Sequence, residues 1–325
     1  MANEKEFGVP TVLADQFAVR DEPSPAVVTV PVLPAKIVPV VKPKKLSKKE
    51  KAKEKARKVN AALEEKKGKK MKAEIVPNRW TMPPLFRVGE KIVFDITYFG
   101  ATAGQLDLEV LPQKIVSDRP TYHFRASAST SSVFSLFYRL NDVAESFMDT
   151  EGLFSHKYSL KLDESKQIRD VLELYDHQKN KAYYWSKLVH KDKGVKNEQS
   201  EIDMVPFTQD GLSAFQFVRT LPLEVGKVYE FPVVNNSKLR TVRVTVIRKE
   251  DLKTKIGEFP AIVVKPEVVL DGVLSSFGDS FMWISDDAQR VILKIDAKIK
   301  VGSVIAYLRE HSYGEKASTS ASASP

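Results

Sequence analysis

The chain has 325 residues, 42% of them hydrophobic and 29% charged, an ordinary composition for a globular protein of one or two domains. It has no cysteine, which excludes disulfides, thiol catalysis and thiolate metal sites, and no apolar run of about 18 residues, so no transmembrane helix is predicted. The net charge of +9 is concentrated, because residues 42–74 carry 15 basic and 5 acidic side chains. The excess positive charge therefore belongs to one segment and does not indicate a basic binding face on the rest of the protein.

Residues 1–41 are predicted to form a disordered, Val/Pro-rich segment. The stretch PSPAVVTVPVLPAKIVPVV intersperses proline among valines. Each proline fixes φ and biases the preceding residue towards extended geometry. The pattern is typical of a stiff, polyproline-like tether without a core.

Residues 42–78 are predicted to form a basic, helical linker. Ser47 followed by Glu50 has capping-box spacing, and Ala, Lys, Glu and Arg favour helix. Two roles stay open, a solvated spacer or a contact with an anionic envelope polymer or lipid headgroups. No aromatic residues stand between the lysines, so nucleic acid is not predicted as a partner. The basic residues that would make the anionic contact are Lys44, Lys45, Lys48, Lys49, Lys53, Arg57 and Lys58.

Residues 79–312 carry the signals of a mainly β domain. KIVFDITYFG at 91–100 alternates apolar and polar positions, GATAG supplies a turn, and QLDLEV at 105–110 alternates strictly, as an antiparallel hairpin with one wet face does. Similar segments recur about every ten residues. They predict a large antiparallel curled sheet, a barrel or half-barrel, in one piece or in two lobes. The further segments are 121–128, 139–148, 153–162, 169–175, 181–189, 228–234, 241–248, 261–266, 279–284, 290–301 and 303–309.

Two short helices are predicted to interrupt the strands, at 131–137 and at 208–221. In the second, Leu212, Phe215, Val218 and Leu221 recur at helical spacing. Residues 313–325 form a small-residue, polar tail that is predicted to be disordered.

The search for chemistry finds no catalytic, metal or cofactor motif, and the protein is predicted not to be an enzyme. Ser213 and Ser280 lack the closing glycine of a nucleophile elbow, and Asp210 is predicted to be a turn and helix N-cap. Asp286 and Asp287 fit a hairpin turn. Five histidines show no metal-site spacing: His123, His156, His177, His190 and His311.

Aromatic residues recur near the predicted strand ends. In a curled sheet they would fill the core, line a cavity for an acyl chain or other apolar ligand, or form a sugar-stacking surface. The candidate ligand-binding residues are Phe134, Phe137, Tyr138, Tyr184, Trp185, Phe281 and Trp283.

Four motifs together resemble a bacterial exported-protein family, the domain-of-unknown-function family 3108. They are VGEKIVFDITYFGATAGQLDLEV, FTQDGLSAFQFVRTLPLEVGKVYEFPV, KIGEFPAIVVKPEV and FMWISDDAQRVILKIDAKIKVGSVIAYL. The resemblance covers about residues 85–310 and carries no catalytic residue to transfer. The last two motifs hold the positions that match the family's signatures, which are Gly257, Phe259, Ala261, Trp283, Ile284, Ser285 and Asp287.

The resemblance implies export to the periplasm, with the signal peptide already removed, or anchoring at the outer membrane through a segment outside this chain. The expected role is non-catalytic binding or scaffolding in the cell envelope, with a protein or apolar partner on the β domain. A carrier of an acyl chain or other apolar ligand is the alternative, by a distant similarity of shape to half-barrel lipoprotein carriers. A cell-wall hydrolase is the third reading.

Overall fold

The computed structural model describes residues 4–21, 74–75, 85–270, 273–275, 280–298 and 302–314. The predictions for residues 22–41, for the tail beyond residue 314 and for the basic linker at 42–78 lie outside these ranges, except for Glu74–Ile75 in the linker. The seven candidate residues for anionic contact in that linker therefore stay a prediction.

The described residues form seventeen strands and three short α-helices. A 3₁₀ helix at Glu4–Phe7 precedes the helices α1 (Thr11–Gln16), α2 (Ser132–Ser135) and α3 (Ser213–Thr220). The strands are β1 (Arg20–Asp21), β2 (Glu74–Ile75), β3 (Glu90–Tyr98), β4 (Ala101–Val116), β5 (Arg119–Thr130), β6 (Asn141–Asp149), β7 (Ser155–Asp163), β8 (Gln167–Asp176), β9 (Lys181–His190), β10 (Gly194–Asp203), β11 (Val228–Asn235), β12 (Lys238–Thr254), β13 (Gly257–Leu270), β14 (Val273–Ser275), β15 (Phe281–Ser285), β16 (Ile292–Lys298) and β17 (Ser303–Tyr313).

All seventeen strands belong to one sheet, which confirms the predicted antiparallel β domain. From β3 to β10 each strand pairs with the next, and β11 to β17 form a second run. The runs join where β17 pairs with β3, from Val304↔Tyr98 to Tyr313↔Glu90. This pairing makes one sheet instead of two lobes, and the sheet is not closed into a barrel.

The main core includes α3 and covers one face of β3 and β4, which is called here the inner face. Alternation explains its composition: Ile92 and Phe94 on β3 and Leu108 and Val110 on β4 are all buried in one cluster with Phe217 of α3. Helix α3 therefore packs on the inner face.

The N-terminal segment corrects the predicted disorder of residues 1–41, because residues 4–21 are ordered. Leu13 and Phe17, four residues apart on one side of α1 and its end, are buried in a second apolar cluster. Phe147 belongs to this cluster and its neighbour Met148 to the main core, so the second cluster lies on the opposite, outer face. Its other members are Val116, Leu172, Leu174 and Trp185.

Polar contacts also hold this segment on the outer face. The ammonium of Lys157 is buried, pairs with Glu4 and donates to the carbonyl of Phe17 at 3.1 Å. The segment is thus part of the β domain, although its sequence precedes the Val/Pro stretch.

Sequence analysis missed β10, which pairs with β9 over ten residues. Its residues GVKNEQSEID are polar on both faces and mostly exposed, so the apolar alternation that marks the other strands is absent. Both predicted helices are confirmed, each shorter than predicted: α2 begins after Ser131, whose hydroxyl accepts from Phe134 N, and α3 begins at Ser213.

Candidate functional site

An apolar pocket of about 370 Å³ lies between α3 and strands β11, β12, β13 and β15. Its volume is within the range of about 300–1,000 Å³ that small-molecule sites occupy. Only three of the residues around it carry a polar side chain. The lining residues are Gly211, Ala214, Phe215, Val218, Phe231, Val233, Asn235, Arg240, Val242, Pro266, Glu267, Val268 and Met282.

The three polar residues stand where β11 ends, β12 begins and β13 ends. Glu267 is paired with Lys265 at 3.0 Å. Arg240 is half-buried and has no ion-pair or hydrogen-bond partner for its side chain among the described residues. The guanidinium of Arg240, unpaired within the described ranges, therefore belongs to a mostly apolar lining.

The first turn of α3 is held by the buried carboxylate of Asp210. It accepts hydrogen bonds from the backbone N–H groups of Leu212 at 2.7 Å and Ser213 at 2.8 Å, which confirms its predicted capping role. The hydroxyls of Ser146 and Ser155 each donate to its second oxygen at 2.6 Å. Burial raises the pKa of Asp210, and the four hydrogen bonds oppose that rise.

The last turn of α3 is held by Arg219, one of the largest fully buried side chains. Its guanidinium donates to the Glu90 carboxylate at 2.6 Å and to the carbonyl of Arg290 at 2.8 Å, and it lies 5.3 Å from the ring centre of Phe86. Burial acts to raise the pKa of Glu90, but His311 and Arg219 hold it below its usual value. Helix α3, which forms one wall of the pocket, is thus fixed at both ends.

A second buried carboxylate, Glu173 on β8, accepts from the hydroxyl of Tyr175 at 2.6 Å. Complete burial raises its pKa to about 8, and the nearby Asp210 adds to the rise. Arg169, also on β8, donates from its guanidinium to the side-chain oxygen of Asn236, in the β11–β12 turn, at 3.2 Å. The turn that borders the pocket therefore also contacts β8.

Two of the five histidines come together without forming a catalytic arrangement. The rings of His156 and His177 are 5.9 Å apart; His156 lies 3.0 Å from the Asp149 carboxylate and His177 2.8 Å from the carbonyl of Ser155. Burial lowers the pKa of His177 to about 4. The hydroxyl of Ser155 serves Asp210 and Ser213, not a histidine.

The other three histidines contact different partners. His123 stacks on Phe147 with ring centres 4.4 Å apart, and His311 lies 3.8 Å from Glu90. His190 accepts from the backbone of Asp192 at 3.1 Å. Within the described ranges, no group of three or more His, Asp or Glu residues is placed to hold a metal ion.

The seven aromatic residues proposed for ligand binding do not gather at the pocket, and none of them lines it. Phe134 is half-buried, Phe137 and Tyr138 are exposed, and Trp185 is buried in the outer cluster. A role in ligand contact stays a prediction for all seven.

The three remaining aromatics of that set lie on β9 and β15. The hydroxyl of Tyr184 accepts from Arg169 at 2.7 Å. On β15, Met282 lines the pocket. Its neighbours Phe281 and Trp283 point to the opposite face of the strand, because successive side chains alternate. The indole N–H of Trp283 donates to the Glu250 carboxylate at 2.7 Å. The pocket instead uses Phe215, Phe231 and aliphatic side chains from β11–β13, which nothing in the sequence distinguishes from core.

Comparison with protein families finds a match to the family described as "Protein of unknown function (DUF3108)", over residues 93–309. This is about two thirds of the chain. The chain belongs to this family. The resemblance noted in the sequence motifs is thereby confirmed. Comparison with curated proteins gave no match.

Two solved structures are similar to this DUF3108 protein. A β-barrel-like protein of domain of unknown function DUF1849 from Brucella abortus is 12% identical, with a TM-score of 0.46, over 70% of this chain and 99% of that one. A putative exported protein with a YmcC-like fold from Bacteroides fragilis is 11% identical, with a TM-score of 0.30, over 70% of this chain and 96% of that one.

Two of the DUF3108 motif residues, Ser285 and Asp287, bond within the turn between β15 and β16. Asp287, in the turn between β15 and β16, accepts from the Ser285 hydroxyl at 2.7 Å and from the N–H groups of Gln289 at 2.9 Å and Arg290 at 3.1 Å. Asp286 pairs with Lys249 at 2.7 Å. This confirms the predicted hairpin turn, and neither the geometry nor the comparisons point to a hydrolase.

Proposed function

We propose that this DUF3108 protein is a non-catalytic binding protein that holds one apolar or amphiphilic ligand in the pocket between α3 and β11–β13. The observation that carries the proposal is the pocket itself, about 370 Å³ in volume with ten of its thirteen lining residues lacking a polar side chain. When an apolar ligand displaces water from the apolar surface of such a cleft, the free energy of the system falls, and this favours binding.

The fixed position of α3 supports a pocket that persists without ligand. Phe217 of α3 packs against Phe231 of β11 with ring centres 4.9 Å apart, and Asp210 and Arg219 tie the two ends of the helix to other parts of the sheet. Moving the helix would break buried, charge-assisted hydrogen bonds, which are among the strongest in proteins.

Arg240 supports a ligand with an acidic head group. Its guanidinium, which is unpaired among the described residues, can donate two parallel hydrogen bonds to a carboxylate or phosphate, while the apolar lining takes a hydrocarbon chain. We therefore propose a fatty acid or a lipid with a single accessible chain as the ligand class.

A place in the periplasm is part of the same proposal. It is supported by the resemblance of the sequence motifs, which implies export, and by membership of DUF3108. None of the helices in the described part of the chain is long and apolar enough to cross a bilayer. Scaffolding of the envelope through the basic linker is a second role, which the sequence of residues 42–72 supports.

A fluorescence titration of the full-length protein with a dansyl-labelled fatty acid tests the ligand proposal. Val268→Trp fills the pocket and is expected to weaken binding at least about tenfold, because the chain loses most of its buried apolar contact. Val12→Trp is the matched control on α1, where Val12 is 75% exposed, and is expected to bind as the wild type does.

Equal binding by the wild type, Val268→Trp and Val12→Trp would show that the probe binds elsewhere. Absence of saturable binding to the wild type would contradict the proposal as well. Circular dichroism of each variant before titration shows that a loss of binding is not a loss of fold.

A further inference from the structure

Four large apolar side chains are exposed on two turns at one end of the sheet, and are called here the apolar rim. Phe99 in the β3–β4 turn is 74% exposed, and Val133, Leu136 and Phe137 around α2 are 64%, 83% and 84% exposed. The two turns adjoin, because Ser131 donates its N–H to Ala103 at 2.8 Å, near the start of β4. Clusters of exposed bulky apolar side chains mark interaction sites.

The backbone at Phe99 adopts a conformation that is costly for a bulky side chain. Its φ is 48°, in the left-handed region that a bulky side chain adopts only at a cost in free energy. The ring lies against Tyr98, with centres 4.5 Å apart, and over Gly302, where an added Cβ would stand 3.2 Å from it. The turn therefore holds the largely exposed phenylalanine ring outside the core.

Exposed lysines continue the rim on the next two turns. In the loop between α2 and β6, the N–H of Arg139 donates to the hydroxyl of Ser165 at 2.7 Å, and the N–H of Ser165, in the β7–β8 turn, donates to the carbonyl of Arg139 at 2.9 Å. The N–H of Lys191 in the β9–β10 turn donates to the carbonyl of Lys166 at 3.0 Å. Lys166, Lys191 and Lys193 are exposed, and none of them has an ion-pair partner among the described residues. The end of the sheet thus presents apolar tips beside unpaired cations.

We infer that this rim docks the protein on an anionic lipid surface. Protruding apolar side chains on separate turns need no partner of complementary shape, because a fluid bilayer accepts them at the headgroup level. The neighbouring lysines complement anionic headgroups, each near the surface adding to the attraction. A protein partner would instead need a continuous matching face, with about 1,000 Å² buried in total.

The rim and the pocket share one end of the sheet. In an antiparallel sheet alternate turns lie at the same end, and the β3–β4, β5–β6, β7–β8, β9–β10 and β11–β12 turns all belong to the rim end. Asn235 and Arg240 of the pocket flank the last of these turns. Docking goes beyond the proposed ligand binding and does not rest on it.

Vesicle flotation of the full-length protein tests the docking, with vesicles of phosphatidylcholine that contain or lack phosphatidylglycerol. Leu136→Ser/Phe137→Ser is expected to weaken binding to the anionic vesicles at least about tenfold, since two exposed apolar side chains lose their burial. The matched control, Val12→Ser/Val225→Ser, replaces side chains that are 75% and 54% exposed away from the rim and should bind as the wild type does. Every variant keeps residues 42–72, so any contribution of the basic segment is constant.

A single fluorophore locates the contact, because the chain has no cysteine of its own. An environment-sensitive dye on Phe137→Cys should shift to the blue with anionic vesicles, and the same dye on Val12→Cys should not. Wild type that fails to bind, Leu136→Ser/Phe137→Ser that binds like wild type, or an unshifted dye at 137 would overturn the inference. Self-association in sedimentation velocity that the rim substitutions abolish, without vesicle binding, would assign the rim to a second copy of the chain instead. None of these outcomes bears on the dansyl titration of the pocket.

Discussion

Replacing Arg219 by methionine tests the anchoring of α3 most severely. The guanidinium is buried and makes bonds of 2.6 Å to Glu90, 2.8 Å to Gln216, 2.8 Å to the carbonyl of Arg290 and 3.2 Å to that of Gln289. Arg219→Met leaves the Glu90 carboxylate buried without its main partner. Removing one partner of a buried pair costs about 3–5 kcal/mol of unfolding free energy.

The matched control is Arg248→Met, which removes an arginine paired with Glu250 at the surface. Exposed pairs contribute at most about 1 kcal/mol, so this variant should unfold almost as the wild type does. Urea unfolding followed by circular dichroism measures all the variants on one scale.

A double variant separates the lost ion pair from the lost packing. Arg219→Met/Glu90→Gln removes the stranded charge, so it should be more stable than Arg219→Met alone. The reasoning would be refuted if Arg219→Met were as mild as Arg248→Met, or if the effects of the two substitutions simply added.

Three further predictions concern pH, the ligand and the N-terminal segment. Burial raises the pKa of Glu173 to about 8 in the folded protein, so its contribution to stability falls as pH rises from about 4.5 through 8. Glu173→Gln removes the ionisation that causes this fall, so at pH 9 its unfolding free energy should exceed that of the wild type by up to about 5 kcal/mol. Equal pH profiles of the two proteins in thermal melts would contradict this. Arg240→Gln should weaken the binding of a dansyl fatty acid several-fold but leave the binding of its methyl ester unchanged. Equal losses of affinity for the acid and the ester would show that Arg240 does not bind the head group. Phe17→Ala should lower the unfolding free energy measured in urea by about 3–5 kcal/mol, and Val12→Ala by under about 0.5 kcal/mol. A loss for Phe17→Ala as small as that for Val12→Ala would show that residues 4–21 contribute little to stability.

The sheet could be predicted where one face is apolar and the other polar. In β3 and β4 the alternation is nearly strict, and the structure pairs them as predicted. The same rule misses β10, because a strand that is polar on both faces has no periodic signal. The order of residues 4–21 had a signal in the spacing of Leu13 and Phe17, which the proline-rich sequence after it obscured.

The pocket could not be predicted because it is a space and not a motif. Phe215, Val242 and Met282 lie far apart in the chain, and each would read equally well as core. Asp210 could be predicted as a cap from its position three residues before Ser213, since capping is local. Its bonds to Ser146 and Ser155 join segments more than fifty residues away, and no local pattern encodes them.

Amide hydrogen exchange of the full-length protein, with and without a saturating fatty acid, tests the central claim that the ligand lies between α3 and β11–β13. We predict added protection confined to α3 and to the strand ends around Val233, Arg240 and Val268, which line the pocket. Protection of the outer cluster around Phe17 instead, or no change anywhere at saturation, would contradict the claim.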